Sequence, residues 1–304
     1  MGWHPVLPGD IRSLPSLLGF IIHARTSAAT LFVVKPRYPK SGSTVADHNQ
    51  RDVQMQNRTT YQSLAGKRVF ITGGATGIGA ALVRRFTQQQ AKVTFVDQNS
   101  EQGTDLVREL DDIPDFIHLD ITDTQALQSA IGDANKGAPL AVLINNAAND
   151  MRQSPADVDE ASWRACMAVN LDASFFAAQA AAPIMAEHGG GSIINFSSIN
   201  ALLGPTNMPG YVSAKAGLIG MTKALARDYG TDFIRVNAIL PGWVVTEKQL
   251  QTWLTPEEEA KWMTQVALPR RLMPDDVANL ALFLGASDSA MITGQSFTVD
   301  AGRT

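Results

Sequence analysis

From Lys67 onward, short and nearly continuous apolar runs alternate with stretches in which apolar residues recur every three or four positions. The runs are Arg68 to Ile71, Lys92 to Val96, Phe116 to Leu119, Leu140 to Ile144, Ser192 to Phe196, Ile234 to Ala238 and Ser296 to Val299. A strand with one wet face alternates polar with apolar residues. Runs without that alternation belong to strands covered on both faces, as happens where helical crossovers join parallel strands. Seven such strands interleaved with helices predict an α/β fold, a doubly wound parallel seven-stranded sheet with helices on both faces. One domain over residues 66 to 304 accounts for the whole pattern. Ligands of such sheets bind beyond the carboxyl ends of the strands, so the segments leaving those ends are where chemistry is expected.

Residues 1 to 60 differ. Pro5, Pro8, Pro15, Pro36 and Pro39 interrupt them, and neither a helical nor a strand period persists. They read as an irregular N-terminal extension. Acidic residues are scarce before Asp47, while Arg12, Arg25, Lys35, Arg37 and Lys40 are spread along the segment, which leaves a targeting peptide open. Met55, just ahead of the first regular element, leaves open instead a start placed too far upstream. The apolar stretch Leu14 to Ile22 is too short to span a bilayer and is broken by Pro15 and Ser16.

Composition narrows the function class. With 304 residues, 45% hydrophobic and 18% charged, the chain has the makings of a substantial core. A formal net charge of -4 lacks the clustered Lys and Arg that nucleic acid or an anionic membrane would require. Small molecules and further copies of the chain are the expected partners. The single cysteine, Cys166, cannot form an internal disulfide, which suits a reduced, cytoplasmic setting with Cys166 as plain core.

After the first strand comes Thr72-Gly73-Gly74-Ala75-Thr76-Gly77-Ile78-Gly79, leading into a helical run from Ala80 to Gln90. Gly73 permits a tight turn, Gly77 lets the backbone approach a pyrophosphate, and Gly79 lets helix and strand pack closely. The helix N-terminus offers free N–H donors and positive potential. A strand before, a helix after and an acid at the end of the next strand make this a Rossmann-like dinucleotide turn, with Thr76 and Ile78 beside the ligand. The acid is Asp97, whose carboxylate can accept both adenosine ribose hydroxyls and would repel a 2'-phosphate. Ala75, Thr76, Gln98 and Asn99 stand where a reader of that phosphate would carry Arg or Lys, so the expected cofactor is NAD. Helix capping is the plainer role for Asp97. Asp120, after the third strand, could bond the adenine amino group with Ile121 packing on the ring, or could equally cap a helix. After the fourth strand, Asn146 and Ala147 sit in Asn145-Asn146-Ala147-Ala148, small residues where a cofactor would cross the sheet edge.

Oxidation of a carbinol removes the hydroxyl proton while hydride leaves the same carbon, so a base, a positioner and a proton route are needed. Pro209-Gly210-Tyr211-Val212-Ser213-Ala214-Lys215 opens a helix and puts Tyr211 and Lys215 on one face. A tyrosine pKa of about 10 is three units above neutrality. One ammonium about 4 Å away at an effective dielectric near 20 supplies roughly the 4 kcal/mol required, so Lys215 is expected to pull Tyr211 toward neutrality. Ser198, at the end of the fifth strand, could bridge the substrate oxygen and Tyr211. Asn170, a polar residue among apolar neighbours in the helical stretch Asp159 to Met185, could hold a water linking Lys215 to solvent, although a mid-helix Asn also bonds its own helix.

With the glycine loop, Asn145-Asn146-Ala147-Ala148, Asn170, Ser198, Tyr211 and Lys215 in this order, the sequence resembles the short-chain dehydrogenase/reductase family over nearly all of residues 66 to 304. The resemblance implies Asn170, Ser198, Tyr211 and Lys215 as a catalytic tetrad, with Tyr211 and Lys215 also touching cofactor. It implies too that Pro241, Gly242, Val244 and Thr246 border the nicotinamide carboxamide. Departures are small: Ala148 stands for the usual glycine, as does Ala301. The family commonly assembles as a homotetramer through the helices bearing Asn170 and Tyr211 and through the last strand, although the alanines of 177 to 182 could as well pack in an internal core.

For the substrate, Asn149, Asp150 and Arg152 lie just past the cofactor crossing, and Asn200 follows Ser198. These groups suit a polyhydroxylated substrate, whereas Asp150 and Arg152 could equally form a surface ion pair. Trp243 could stack on a sugar face or shield nicotinamide from water. Asn-Asn-Ala-x-Asn-Asp-x-Arg, the lid-like Trp253 to Glu257 and the ending Val299 to Arg303 resemble bacterial aldose 1-dehydrogenases, which implies oxidation of a sugar C1 hydroxyl to a lactone. A dehydrogenase or reductase for ketoacyl, steroid or other secondary alcohols would want an apolar pocket instead, and a noncatalytic NAD-binding protein would have a broken tetrad. His188-Gly189-Gly190-Gly191 reads as a helix stop rather than an oxyanion loop, and neither a hydrolase triad nor a metal site is expected.

Overall fold

The computed structural model describes residues 59–304, so the irregular extension read for residues 1 to 60 lies outside the described residues apart from its last two. The strands are β1 (Arg68–Thr72), β2 (Lys92–Asp97), β3 (Asp115–His118), β4 (Leu140–Asn145), β5 (Gly191–Phe196), β6 (Ile234–Pro241) and β7 (Ser296–Val299). They form one sheet in the order β3-β2-β1-β4-β5-β6-β7, with every neighbouring pair parallel. All seven predicted strands are present. The largest difference is at β6, which runs three residues beyond Ala238 because Ile239, Leu240 and Pro241 pair with Phe297, Thr298 and Val299 of β7.

The helices are α1 (Gly77–Gln88), α2 (Ser100–Glu109), α3 (Thr124–Ala134), α4 (Glu160–Met167), α5 (Ala173–Glu187), α6 (Asn200–Leu203), α7 (Pro209–Asp228), α8 (Glu247–Thr252), α9 (Pro256–Met263) and α10 (Pro274–Gly285). Successive strand side chains point to opposite faces, and each face is covered. Val69, Ile71, Phe95, Val142 and Ile144 meet α1 and α10, while Phe70, Val96, Leu143, Ile193 and Val236 meet α3, α5 and α7. Both sets are fully buried, which is why the strands read as unbroken apolar runs. Ala177, Ala178, Ala181 and Ala182 belong to the second set, so these small residues serve the internal core of this chain.

Two features place the site. Strand order reverses between β1 and β4, opening a crevice at their carboxyl ends. The predicted helix from Asp159 to Met185 is divided by a π-turn, Ala168–Asp172, which carries Asn170; such widened turns recur at functional sites. Below the crevice, a buried amide chain ties the layers: Asn145 Nδ2 donates to Asn195 Oδ1 at 2.9 Å, and Asn195 Nδ2 donates to Thr222 Oγ1 of α7 at 2.9 Å. Thr222 and Asn195 are wholly buried. Thr222→Val keeps the shape but strands the Asn195 amide, so urea denaturation should show stability falling by about 1 to 3 kcal/mol.

Candidate active site

The crevice has a volume of about 1730 Å³. Its nucleotide end is built from backbone. Gly73 and Gly77 adopt positive φ, 66° and 53°. A Cβ on Gly79 would stand 1.8 Å from the carbonyl oxygen of Gly73, so only glycine lets α1 start this close to β1. Thr76 precedes α1 without a side-chain cap, and the first turn holds no acid, which leaves its N–H groups open toward the crevice. Asn146 braces the loop, Nδ2 donating to the carbonyls of Thr72 and Gly73 at 3.1 and 2.8 Å, and Thr72 Oγ1 accepts from the Ala147 N–H at 3.2 Å. Asp97 takes N–H donors from Ala75 at 3.0 Å and Asn99 at 2.9 Å. It caps no helix, since Asn99 caps α2.

These features fit a dinucleotide: a glycine cradle that side chains would fill, an uncapped helix end for pyrophosphate, and a fixed carboxylate at the adenosine end. Gly73, Thr76, Gly77, Ile78, Gly79, Asp97, Ile121, Asn146, Ala147, Pro241, Gly242, Val244 and Thr246 all line the crevice. Asp120 does not. Its Oδ1 accepts from the Thr122 N–H and hydroxyl at 2.9 and 2.7 Å, while Asp123 caps α3. Asp120 shapes its own turn, and Leu119, Ile121 and Thr122 form the wall there.

At the other end stands α7, started by Pro209 as its first residue, where a missing N–H costs nothing. Tyr211 and Lys215 share its inner face, with Lys215 Nζ 5.7 Å from the centre of the Tyr211 ring. Lys215 is 2% exposed and donates to the Phe196 carbonyl at 2.7 Å. Ser198 hydrogen-bonds the Tyr211 hydroxyl and accepts from the Asn200 N–H at 3.1 Å. Asn170, 1% exposed, accepts from the Asn149 N–H at 3.0 Å and donates to the carbonyls of Asn149 and Cys166, both at 3.0 Å. It therefore bonds its own helix and also locks the segment leaving β4. Cys166 is partly exposed, and its Sγ lies 3.5 Å from the Asn170 amide, at the edge of the site rather than in the core.

The electrostatics differ from the expectation that Lys215 draws Tyr211 toward neutrality. Tyr211 is half-buried, yet burial of its hydroxyl end pushes its pKa up to about 12, against the lowering effect of the Ser198 hydrogen bond. Burial also brings Lys215 down to about 7. Spacing along a helix says nothing of desolvation, which is the largest influence on both groups here.

The substrate end departs as well. Asp150 and Arg152 do not pair with each other: Lys248 Nζ donates to Asp150 Oδ1 at 2.5 Å, Gln249 Nε2 donates to Oδ2 at 3.0 Å, and the Arg152 guanidinium lies 4.1 Å from the Trp253 ring centre. Burial raises the Asp150 pKa, but Lys248 and Gln249 more than reverse it and hold the carboxyl below its ordinary value. Asn149, Asp150, Arg152, Ser198, Asn200 and Trp243 all face the crevice. Lys248, Gln249 and Trp262 face it too, and sequence reasoning missed them; the crowding of Trp243, Trp253 and Trp262 into twenty residues was the available signal. His188 follows α5 and precedes Gly189 and Gly190 at φ 85° and 114°, which makes that glycine run a helix stop. Among the described residues, no three His, Cys, Asp or Glu side chains group as metal ligands, and no helix is long and apolar enough to cross a membrane.

The buried lysine sets a stability slope. Its folded pKa of about 7 lies below its ordinary 10.5, so between these values the unfolded chain binds more protons than the folded one. Unfolding free energy, measured by urea denaturation, should rise as pH increases through that window, and Lys215→Met should abolish the rise.

Comparison with known proteins places this architecture. A family model described as enoyl-(acyl carrier protein) reductase matches residues 73–304. "Probable galactose dehydrogenase GalD" of Rhizobium meliloti (strain 1021) is 44% identical over 247 residues, 80% of this chain and 96% of that protein. A D-xylose 1-dehydrogenase of Caulobacter vibrioides (strain NA1000 / CB15N) is 43% identical over 248 residues, 80% of this chain and 97% of the other. The solved structure of a 7α-hydroxysteroid dehydrogenase complexed with NADH and 7-oxo glycochenodeoxycholic acid superposes with a TM-score of 0.76 at 32% identity, covering 80% of this chain and 96% of that one. With a glycine-cradled crevice at the sheet's switch point and these relatives along nearly their full lengths, the chain belongs to the short-chain dehydrogenase/reductase family and is an oxidoreductase.

Proposed function

We propose that this enzyme oxidises the C1 hydroxyl of an aldose to the lactone with NAD, using Tyr211 as general base. One observation carries the chemistry: Tyr211, whose hydroxyl is hydrogen-bonded by Ser198 and which stands one helical turn from Lys215, lines the crevice together with Asn149, Asn200 and Trp243. The sugar assignment is supported by the polar groups at this end and by the two relatives named for galactose and D-xylose. A steroid or acyl substrate would want a more apolar wall.

Bound nicotinamide supplies a hydride acceptor and a positive charge. Gly73, Thr76, Gly77, Ile78 and Gly79 would hold the pyrophosphate, Asp97 the adenosine ribose, Ile121 the adenine, Asn146 and Ala147 the crossing, and Pro241, Gly242, Val244 and Thr246 the carboxamide end. Ser198 orients the C1 hydroxyl, and Tyr211 takes its proton as the C1–H bond breaks. Lys215, while protonated, favours the phenolate and anchors the nicotinamide ribose. Asn170 fixes the Asn149 backbone and lies where a water could carry the proton onward. NAD rather than NADP is supported by the Asp97 carboxylate, held in place by two N–H donors at the crevice wall. Exposed Trp163 and Phe175 on α4 and α5, with the open edge of β7, support a homotetramer, and the lone cysteine suits the cytoplasm.

Initial rates on a panel of pentoses and hexoses with NAD should show turnover of aldoses with lactone as product; turnover confined to apolar secondary alcohols would sink the sugar assignment. Tyr211→Phe should lower kcat by about 10²- to 10⁴-fold while NAD still binds. Asp97→Ser should raise kcat/KM for NADP and lower it for NAD; an unchanged ratio would contradict the role given to this carboxylate.

A further inference from the structure

A chain of hydrogen bonds crosses the mouth of the crevice through residues that lie far apart in sequence. Asp150 Oδ2, just after β4, accepts from Gln249 Nε2 of α8 at 3.0 Å, and Gln249 Oε1 accepts from Trp243 Nε1, just after β6, at 2.8 Å. The orientation of the Gln249 amide follows from chemistry. An indole N–H can only donate and an ionised carboxylate can only accept, so the carbonyl must face Trp243 and the NH₂ must face Asp150. Trp243 in turn meets Trp262 of α9 edge to face, with centroids 5.4 Å apart and planes at 88°, and the Arg303 guanidinium lies 5.5 Å from the Trp262 ring centre. The second oxygen of Asp150 is taken by Lys248.

We infer that Asp150 is a positioning residue rather than a substrate ligand: through Gln249 it fixes the plane of the Trp243 indole, and the perpendicular Trp243–Trp262 wall selects the sugar by its shape. Three elements agree on one orientation of this indole: the Asp150–Gln249 relay at its N–H, Trp262 against its ring, and Arg303 behind Trp262. Both indoles and Gln249 line the crevice at the end that holds Tyr211 and Ser198. A tryptophan needed only as a hydrophobic cover would require neither a fixed amide nor an ionised partner beyond it. An indole face of set direction packs against the C–H surface of a pyranose or furanose, and a tilt of that face changes which ring substituents fit. The inference deepens the aldose reading and rests on it for its substrate, but the indole geometry itself can be read without any substrate.

The test uses Gln249→Glu, a near-isosteric change that keeps an acceptor for Trp243 but loses the donor to Asp150 and sets two carboxylates against each other. Near-ultraviolet circular dichroism of the full-length protein should lose the contribution of the perpendicular indole pair in Gln249→Glu and in Asp150→Ala, and Gln249→Leu should do the same without introducing charge. In steady-state kinetics the aldose KM should rise by about tenfold in each, the scale of one charge-assisted hydrogen bond, while kcat falls by less and the KM for NAD stays the same. A double-mutant cycle should show Asp150→Ala and Trp243→Phe to be non-additive, because both remove the same fixed indole. Additive effects with an unaltered indole spectrum would overturn the inference and make Asp150 a direct ligand. Loss of the spectral couple in a protein that turns over no aldose would overturn the substrate assignment and leave the relay standing.

Discussion

An ammonium with almost no contact with water lies under the crevice, and the site is arranged around the cost of keeping it there. Lys215 has a backbone carbonyl, Phe196 O, as its hydrogen-bond partner, and the carboxylate at the mouth of the site, Asp150, is itself matched to Lys248. A single neutral acceptor compensates little for lost hydration, so the proton on Lys215 is held loosely near neutral pH. The same burial makes the Tyr211 phenol reluctant to ionise. The free enzyme thus stores an acid and a base whose charged forms are both disfavoured. A cationic ring placed beside Tyr211 would favour the phenolate, which ties proton abstraction to the presence of the oxidised cofactor.

That arrangement needs a rigid frame. Strand β5 delivers both Phe196, whose carbonyl meets Lys215, and Ser198 two residues later; Ser197 between them donates its hydroxyl to the Lys215 carbonyl at 2.7 Å. One strand end therefore fixes α7 from three consecutive residues. The π-turn contributes in the same way. Widening the helix at 168–172 releases it from regular bonding where Asn170 is needed, and its amide can then serve Cys166 in its own helix and Asn149 across the gap.

The strands, the glycine turn and the places that Asp97, Asn170, Ser198, Tyr211 and Lys215 take in the fold were legible in the sequence because each depends on local pattern. Burial on both faces makes strands such as Val69-Phe70-Ile71 uniformly apolar, and positive φ at Gly73 demands glycine whatever surrounds it. The partners of Asp150 and Arg152 were not legible. Lys248 lies 98 residues from Asp150, and only the path of α8 over the crevice brings them together. The local bonds of Asp120 were not legible either: its Oδ1 accepts from Thr122 two residues on, a contact that its position after β3 does not announce. The effect of burial on Tyr211 was not legible because a helical spacing fixes a distance between charges and leaves out the dielectric around them.

The two ends of the crevice consequently differ in how they can change. The nucleotide end is made of backbone N–H groups, glycine conformations and a helix terminus, so few side-chain substitutions improve it and many, such as any Cβ at Gly79, destroy it. The substrate end is made of side chains reaching across from α8, α9 and the segments after β4 and β6, joined by hydrogen bonds and ring contacts on the crevice rim. Replacing one of those side chains alters the shape of the pocket without disturbing the sheet beneath. A fold divided in this way can keep one hydride chemistry while its choice of alcohol is reset by a handful of residues, and here those residues are the ones that hold two indoles at right angles.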